Sequence, residues 1–379
     1  MLITVLIVLA ILLFLYPFVI YPVFLRVFAG TRGARNASTP ALEDLPAAAL
    51  VICALNEEKV IRQKMENCLR LVYPKEKLRI VVISDGSTDA TAPIVREYAA
   101  CGIQLIEQPA RRGKIANLNA VLPSCTEDIL VLSDANVLYH PEALIRLAAR
   151  FADPTVGCVS GKVILTDSAP ELDAPTSGYY SIEWLLQEKT SRVYSMVGAD
   201  GAMYALRRSL FQPCPDDTIV EDFVIPMNVI RQGRRTVFES QAIGWERGPA
   251  SLAEEFRRKV RIAAGCTQAL LRGNAWPVGA PPRFWFIFLS HKFLRWISPF
   301  VGLLILLLSS LSFEQWTSQA VACGFLLLSA LALLRIVTGW NHKLVSAPFY
   351  FLFGQAALAW GMLKGLAGQQ TVLWAKENR

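Results

Sequence analysis

The chain has 379 residues, of which 53% are hydrophobic and only 18% charged, and a formal net charge of +7. An ordinary soluble domain carries about 25% charge, so this balance excludes a disordered chain and argues against a wholly soluble one. No basic run with interleaved aromatics is present, which sets nucleic-acid binding aside and leaves two readings of the positive charge: positive-inside membrane topology, and a basic face for an anionic substrate.

Residues 2–29 contain a single ionised side chain, Arg26. About twenty apolar residues span a bilayer. No basic segment precedes this run and it is too long for a cleaved leader, so residues 1–29 are predicted to be a transmembrane helix. Arg26, Arg32 and Arg35 place the C-terminal end of this helix, and the middle of the chain with it, in the cytoplasm. Residues 30–48 read as a linker. Strands are then predicted at Ala49–Ala54, Leu78–Ser84, Ile103–Glu107 and Ile129–Ser133, alternating with helices at Glu57–Leu71, Ala90–Ala100, Lys114–Leu122 and Glu142–Phe151. This alternation argues for a parallel sheet covered by helices, in which ligands bind beyond the carboxyl ends of the strands. The eight cysteines are scattered with no C-x-x-C pair, so neither a zinc nor a redox motif is expected. The histidines His140, His291 and His342 do not cluster either, and interfacial packing accounts for the last two.

The chain regains membrane character over residues 284–368, with candidate spans at Trp296–Leu311, Ser318–Ile336 and Leu344–Leu366 and a tail at 369–379. The loop Ser312–Thr317 has no basic residue, whereas Arg335, His342 and Lys343 flank the next loop, which puts the first loop outside and the second inside. Three such spans carry the C-terminus outside, yet Lys364, Lys376 and Arg379 favour the cytoplasm, so a spanning, a re-entrant and an interfacial last helix all stay open.

Chemistry gathers at the strand ends. The first strand runs into Asn56-Glu57, the second into Asp85-Gly86-Ser87-Thr88-Asp89, and the fourth into Asp134-Ala135-Asn136. Asn and Asp also cap helices and Asp-Gly also turns, but three acidic strand ends at one edge ask for more than capping. Lys114 follows Gly113 at a predicted helix start, where a lysine pairs with phosphate as readily as it sits in solvent. Glu221-Asp222 opens a predicted helix over Phe223–Gln232, and Gly198-Ala199-Asp200-Gly201-Ala202 is a small-residue stretch.

Together with Gly113-Lys114-Ile115-Ala116-Asn117-Leu118-Asn119, these stretches resemble the family 2 glycosyltransferases of the nucleotide-sugar-binding A-type fold, over about residues 49–273. With the flanking apolar segments, the resemblance extends to the membrane-embedded synthases of chitin oligosaccharide, hyaluronan, cellulose and poly-N-acetylglucosamine. It implies an α/β domain with a Rossmann-like mixed sheet over residues 49–283, interfacial helices at its C-terminal end, and about three transmembrane helices after it. It implies that Asn56, Glu57 and Asp85 lie at the nucleoside, and that Asp134 and Asn136 stand where the family has the D-x-D that holds Mg²⁺ or Mn²⁺. Asn136 brings an oxygen but no charge, so the substrate diphosphate would supply more of the ion's ligands. Asp222 falls on the family's general base, with Glu221 beside it. Asp200 and Trp184 are the acceptor-side candidates. Arg258 and Arg261 fall in the family's Q-x-x-R-W; Arg261 keeps the arginine, Arg258 replaces glutamine and Ile262 replaces the stacking tryptophan, so Trp184 or Trp245 would have to supply such a face.

The expected protein is therefore an inverting β-glycosyltransferase of the cell inner membrane, multi-pass, with a cytoplasmic catalytic domain. Its partners would be a UDP-sugar donor, a glycan or lipid acceptor and the lipid bilayer, with export partners open and no nucleic acid. A non-processive enzyme adding one sugar to a lipid is the alternative, and an inactive binding or transport subunit the distant one.

Overall fold

The computed structural model describes residues 2–28, 41–166 and 180–372. The parts of the predicted linker and tail at 30–40 and 373–379 lie outside the described residues. The chain divides into two compact units, one of Met1–Phe28, Ser251–Gln268 and Phe286–Gln370, the other of the intervening chain.

The second unit is built on one eight-stranded sheet in the order β3-β2-β1-β4-β7-β6-β8-β5. Its strands are β1 (Ala48–Ala54), β2 (Leu78–Asp85), β3 (Ile103–Gln108), β4 (Ile129–Asp134), β5 (Val137–Tyr139), β6 (Val156–Thr166), β7 (Met203–Arg207) and β8 (Arg235–Arg247). Strands β1 to β4 form a parallel block, because helices cross between them. Helices on the faces bury both sides of such strands, which explains the unbroken apolar run of β1. Beyond β4 the sheet is mixed: β7 pairs antiparallel with β4 and β6, and β8 runs parallel to β6. Register sets Ala54 beside Ser84 and Cys53 beside Asp134, so the carboxyl ends of β2, β1 and β4 are adjacent at one edge.

Two helices of this unit start more than one residue from their predicted positions. The one expected from Glu57 begins at Ile61, because Asn56 turns the chain through the left-handed region at φ 54° before it can wind. The one expected from Phe223 begins at Glu221 and runs to Arg231 with Pro226 inside it. Proline has no N–H, so the Asp222 carbonyl one turn earlier loses its helical donor. Ala199 N–H donates to it instead, at 2.9 Å. A residue that weakens the helix thereby ties the Gly198–Ala202 stretch to it.

The first unit holds most of the chain's long apolar helices. Among the described residues, four helical segments are long and apolar enough to cross a membrane: Leu2–Val27, Pro282–Ser310, Trp316–Thr338 and Lys343–Leu366. The first two are interrupted by π turns at Tyr16–Ile20 and Leu289–Phe293. His291, in the second of these, is buried with its ring 6.2 Å from that of Tyr21. The amphipathic helix Leu252–Leu271 packs in this unit against Lys343–Leu366. A side chain at Gly361 would strike the Val260 carbonyl, and one at Gly365 would come 2.8 Å from the Ala264 carbonyl. Glycine at both positions lets the backbones meet.

Candidate active site

Two loops are stitched together before any reactive group is placed. The Asn56 side-chain oxygen accepts from Thr88 N–H at 2.7 Å, and Asn56 N–H donates to Ser87 Oγ at 3.1 Å. Glu57 N–H donates to Thr91 Oγ1 at 2.7 Å. The ends of β1 and β2 are thus held as one surface. Asp85, at the end of β2, is buried, and its two oxygens accept from Arg112 and Gly113 N–H at 2.7 and 2.9 Å. This clamp fixes the loop that opens the helix Lys114–Val121. Gly86 has φ 68°, and a side chain there would run into the backbone of Ala110 and Arg111, so the clamp needs glycine beside the aspartate.

Lys114 is what the clamp delivers. Its Nζ lies 2.8 Å from Asp134 Oδ1 at the end of β4 and 2.7 Å from Glu221 Oε1 at the start of the helix Glu221–Arg231. The Gly201 carbonyl oxygen is 3.3 Å away. Burial by itself lowers a lysine's pKa, but the Asp134 and Glu221 carboxylates outweigh it and hold this ammonium well above the usual lysine range. Asp222 closes the group: a Cβ at Gly201 would come within 2.8 Å of its Oδ2. Asp200 secures the same loop by donating from its N–H to Ser160 Oγ (2.9 Å) and accepting from Ala202 N–H (3.1 Å).

The structure therefore brings Lys114, Asp134, Glu221, Asp222 and the Asp200–Gly201 turn together, with Asn56, Glu57 and Asp85 as the scaffold behind them. Asn136 donates from Nδ2 to Glu246 Oε1 at 3.0 Å, which leaves its Oδ1 as the amide end not committed to that bond. Among the described residues no three His, Cys, Asp or Glu side chains are grouped to hold an ion. Asp134 and Asn136 offer two oxygens, a donor set that fits a hard divalent cation when diphosphate oxygens complete it.

Trp184 lies on the helix Tyr180–Val193 with Lys162 Nζ 4.4 Å from its ring centre. Trp245 is 4% exposed within β8, so it offers no face to a sugar. Arg258, Arg261 and Ile262 belong to the helix Leu252–Leu271, in the other unit.

Sequence reasoning missed Glu246, Pro226 and Lys64, and saw Gly201 only as part of a small-residue stretch. Glu246 had no local signal, since it meets Asn136 only through the pairing of β5 with β8. Pro226 and Gly201 act through backbone geometry. Lys64 was visible: Ile61, Met65 and Cys68 mark the buried face of its helix, and Lys64 falls on that face. It is fully buried, donating to Ser133 Oγ (2.8 Å) and the Val137 carbonyl (2.6 Å), one on each side of Asp134-Ala135-Asn136.

Residues 49–213 match the family model described as Glycosyl transferase family 2. The chain is 28% identical over 242 residues to the probable glycosyltransferase YdaM of Bacillus subtilis (strain 168), covering 61% of this chain and 58% of that protein. It is 24% identical over 237 residues to poly-beta-1,6-N-acetyl-D-glucosamine synthase of Staphylococcus aureus (strain COL), covering 61% and 57%. The matched part thus spans somewhat over half the length of these relatives. Among solved structures, mannosyltransferase PcManGT from Pyrobaculum calidifontis, in complex with GDP-Man and Mn²⁺, aligns with a TM-score of 0.77 at 21% identity, covering 97% of this chain and 100% of that one.

Proposed function

From a family 2 glycosyltransferase domain of the A-type fold, we propose that this chain transfers a sugar from a nucleotide diphosphate donor to a glycan or lipid acceptor, with inversion at the anomeric carbon. The observation that carries the proposal is the convergence of Asp222, Glu221, Lys114 and Asp134 at the carboxyl edge of the sheet. Asp222 takes the proton of the acceptor hydroxyl as that oxygen bonds to the anomeric carbon. The bond from that carbon to the diphosphate oxygen breaks on the opposite side, and the nucleoside diphosphate leaves. A base of this kind contributes about 10²–10⁴-fold. Lys114 serves the diphosphate. Asp134 and Asn136 are the residues for Mg²⁺ or Mn²⁺, which when bound neutralises charge on the departing diphosphate.

The donor is read as a UDP-sugar from the resemblance of Asn56, Glu57 and Asp85 to the family's nucleoside-binding residues, while the GDP-Man of the structural neighbour makes a guanosine donor the competing case. The basic residues after the first apolar helix support a cytoplasmic domain on an inner membrane. Ile262 in place of tryptophan, and the burial of Trp245, favour addition of a single sugar over a growing polymer.

The test offers UDP-N-acetylglucosamine, UDP-glucose and GDP-mannose to the full chain in nanodiscs with Mg²⁺ or Mn²⁺, and measures nucleotide release and product length. One donor should turn over, and Asp222→Asn should lower kcat by at least about 100-fold while nucleotide binding persists. Turnover at the unchanged rate in Asp222→Asn would remove it as the base. No turnover with any donor, in a folded protein given glycan and lipid acceptors, would favour the inactive-subunit reading.

A further inference from the structure

Three segments of the second unit surround one nitrogen. Asp134 Oδ1 comes from the end of β4, Glu221 Oε1 from the start of a helix and the Gly201 carbonyl from a loop, at 2.8, 2.7 and 3.3 Å from Lys114 Nζ. Two carboxylates and a carbonyl around a single point of positive charge are the ligand set of a hard divalent cation. Here an ammonium occupies it. The two carboxylates come from distant parts of the chain, and the positive charge between them offsets their mutual repulsion. Asp134 is also the carboxylate proposed to hold the metal, so its oxygen is shared between an internal cation and an external one.

We propose that Lys114 is an internal counter-ion that keeps a divalent cation out of the Asp134–Glu221 position, so that cation uptake waits for the nucleotide diphosphate. While the lysine holds both carboxylates, an incoming cation meets a like charge at contact distance and gains little. A diphosphate changes both terms: it gives Lys114 another anionic partner, and it contributes oxygens that the neutral Asn136 cannot match in charge. One side chain thereby sets the order of binding. This rests on the nucleotide diphosphate donor only for the role of the diphosphate.

The experiment titrates Mn²⁺ into the full chain in nanodiscs and reads free Mn²⁺ by electron paramagnetic resonance, with and without UDP or GDP. The unsubstituted protein should take up Mn²⁺ at least tenfold more tightly with a nucleotide than without. Lys114→Met, measured without nucleotide, should bind Mn²⁺ at least tenfold more tightly than the unsubstituted protein, and adding Glu221→Gln should abolish that gain. Equal Mn²⁺ affinity of the unsubstituted protein and Lys114→Met would overturn the proposal, as would a gain that survives Glu221→Gln. If Lys114→Met elutes as aggregate, Lys114→Gln makes the same neutralisation with a polar side chain. Nucleotide binding is measured separately: if neither UDP nor GDP binds with Mn²⁺ present, the donor reading falls, while the comparison without nucleotide still decides whether Lys114 excludes the cation.

Discussion

A lysine on the core face of a helix loses its hydration, and Lys64 replaces it with two hydrogen bonds and the Tyr139 ring, 4.1 Å from its nitrogen. The replacement is incomplete, so burial pulls its pKa down to about 8 from 10.5. Between pH about 8 and about 10.5 the unfolded chain holds a proton on this lysine that the folded chain has released, so stability rises with pH across that window and is flat below it. At about 1.4 kcal/mol per unit, the whole rise is about 3 kcal/mol. Thermal unfolding in detergent between pH 7.5 and 9.5 should show the unsubstituted protein gaining on Lys64→Met as pH rises. Parallel pH dependence in the two proteins would show that Lys64 carries no shifted proton. Because its acceptors flank Asp134 and Asn136, Lys64 also positions the turn that bears them.

At the scale of elements, the parallel block was legible in the sequence because its signals are local. A strand buried on both faces is an apolar run, and the residue after it lies at the ligand edge, which is why Asp85 and Asp134 could be singled out. Features that depend on pairing at a distance were not legible. The antiparallel insertion of β7 between β4 and β6 has no periodicity of its own, yet it carries the chain back past the carboxyl edge and sets the Gly198–Ala202 loop against Asp222. Pro226 carries no site signal in the sequence, yet it frees the Asp222 carbonyl for Ala199. The same packing makes Gly201 sensitive. In Gly201→Ala the new methyl would lie 2.8 Å from Asp222 Oδ2, closer than carbon and oxygen approach, so the carboxylate has to move. Misplacing a reacting group by about 1 Å costs on the order of 100-fold. We expect kcat for Gly201→Ala to fall by at least about tenfold with little change in melting temperature; a fall in stability with kcat intact would place the strain elsewhere.

The path of the last apolar helix sets which side of the membrane the C-terminal segment faces, and the two sequence signals conflict there. Lys343–Leu366 has the weakest hydropathy of the four candidate spans, 1.2 against 1.8 to 3.0. One of its neighbours in the unit of apolar helices favours the second signal, the C-terminal charge. Phe353 meets Phe256 with ring centres 5.4 Å apart, Gly361 meets Val260, and Gly365 meets Ala264, so this helix lies lengthwise along Leu252–Leu271. That partner carries Glu254, Glu255, Arg257, Arg258, Lys259 and Arg261, too much charge for the hydrocarbon core, and its amphipathic character suits the bilayer surface. Lys343–Leu366 also packs against Trp316–Thr338, but its contact with the charged helix over residues 353–365 is expected to hold its C-terminal half near that surface. The chain after Leu366 should therefore remain on the face of Leu252–Leu271, the cytoplasmic one by the charge rule, in agreement with Lys364, Lys376 and Arg379. Single cysteines test this in a background with the exposed Cys101 and Cys323 changed to serine. A membrane-impermeant maleimide should label Glu314→Cys in intact cells but Gln369→Cys only after permeabilisation. Labelling of Gln369→Cys in intact cells would mean that Lys343–Leu366 crosses the bilayer, against both its packing on Leu252–Leu271 and its C-terminal charge.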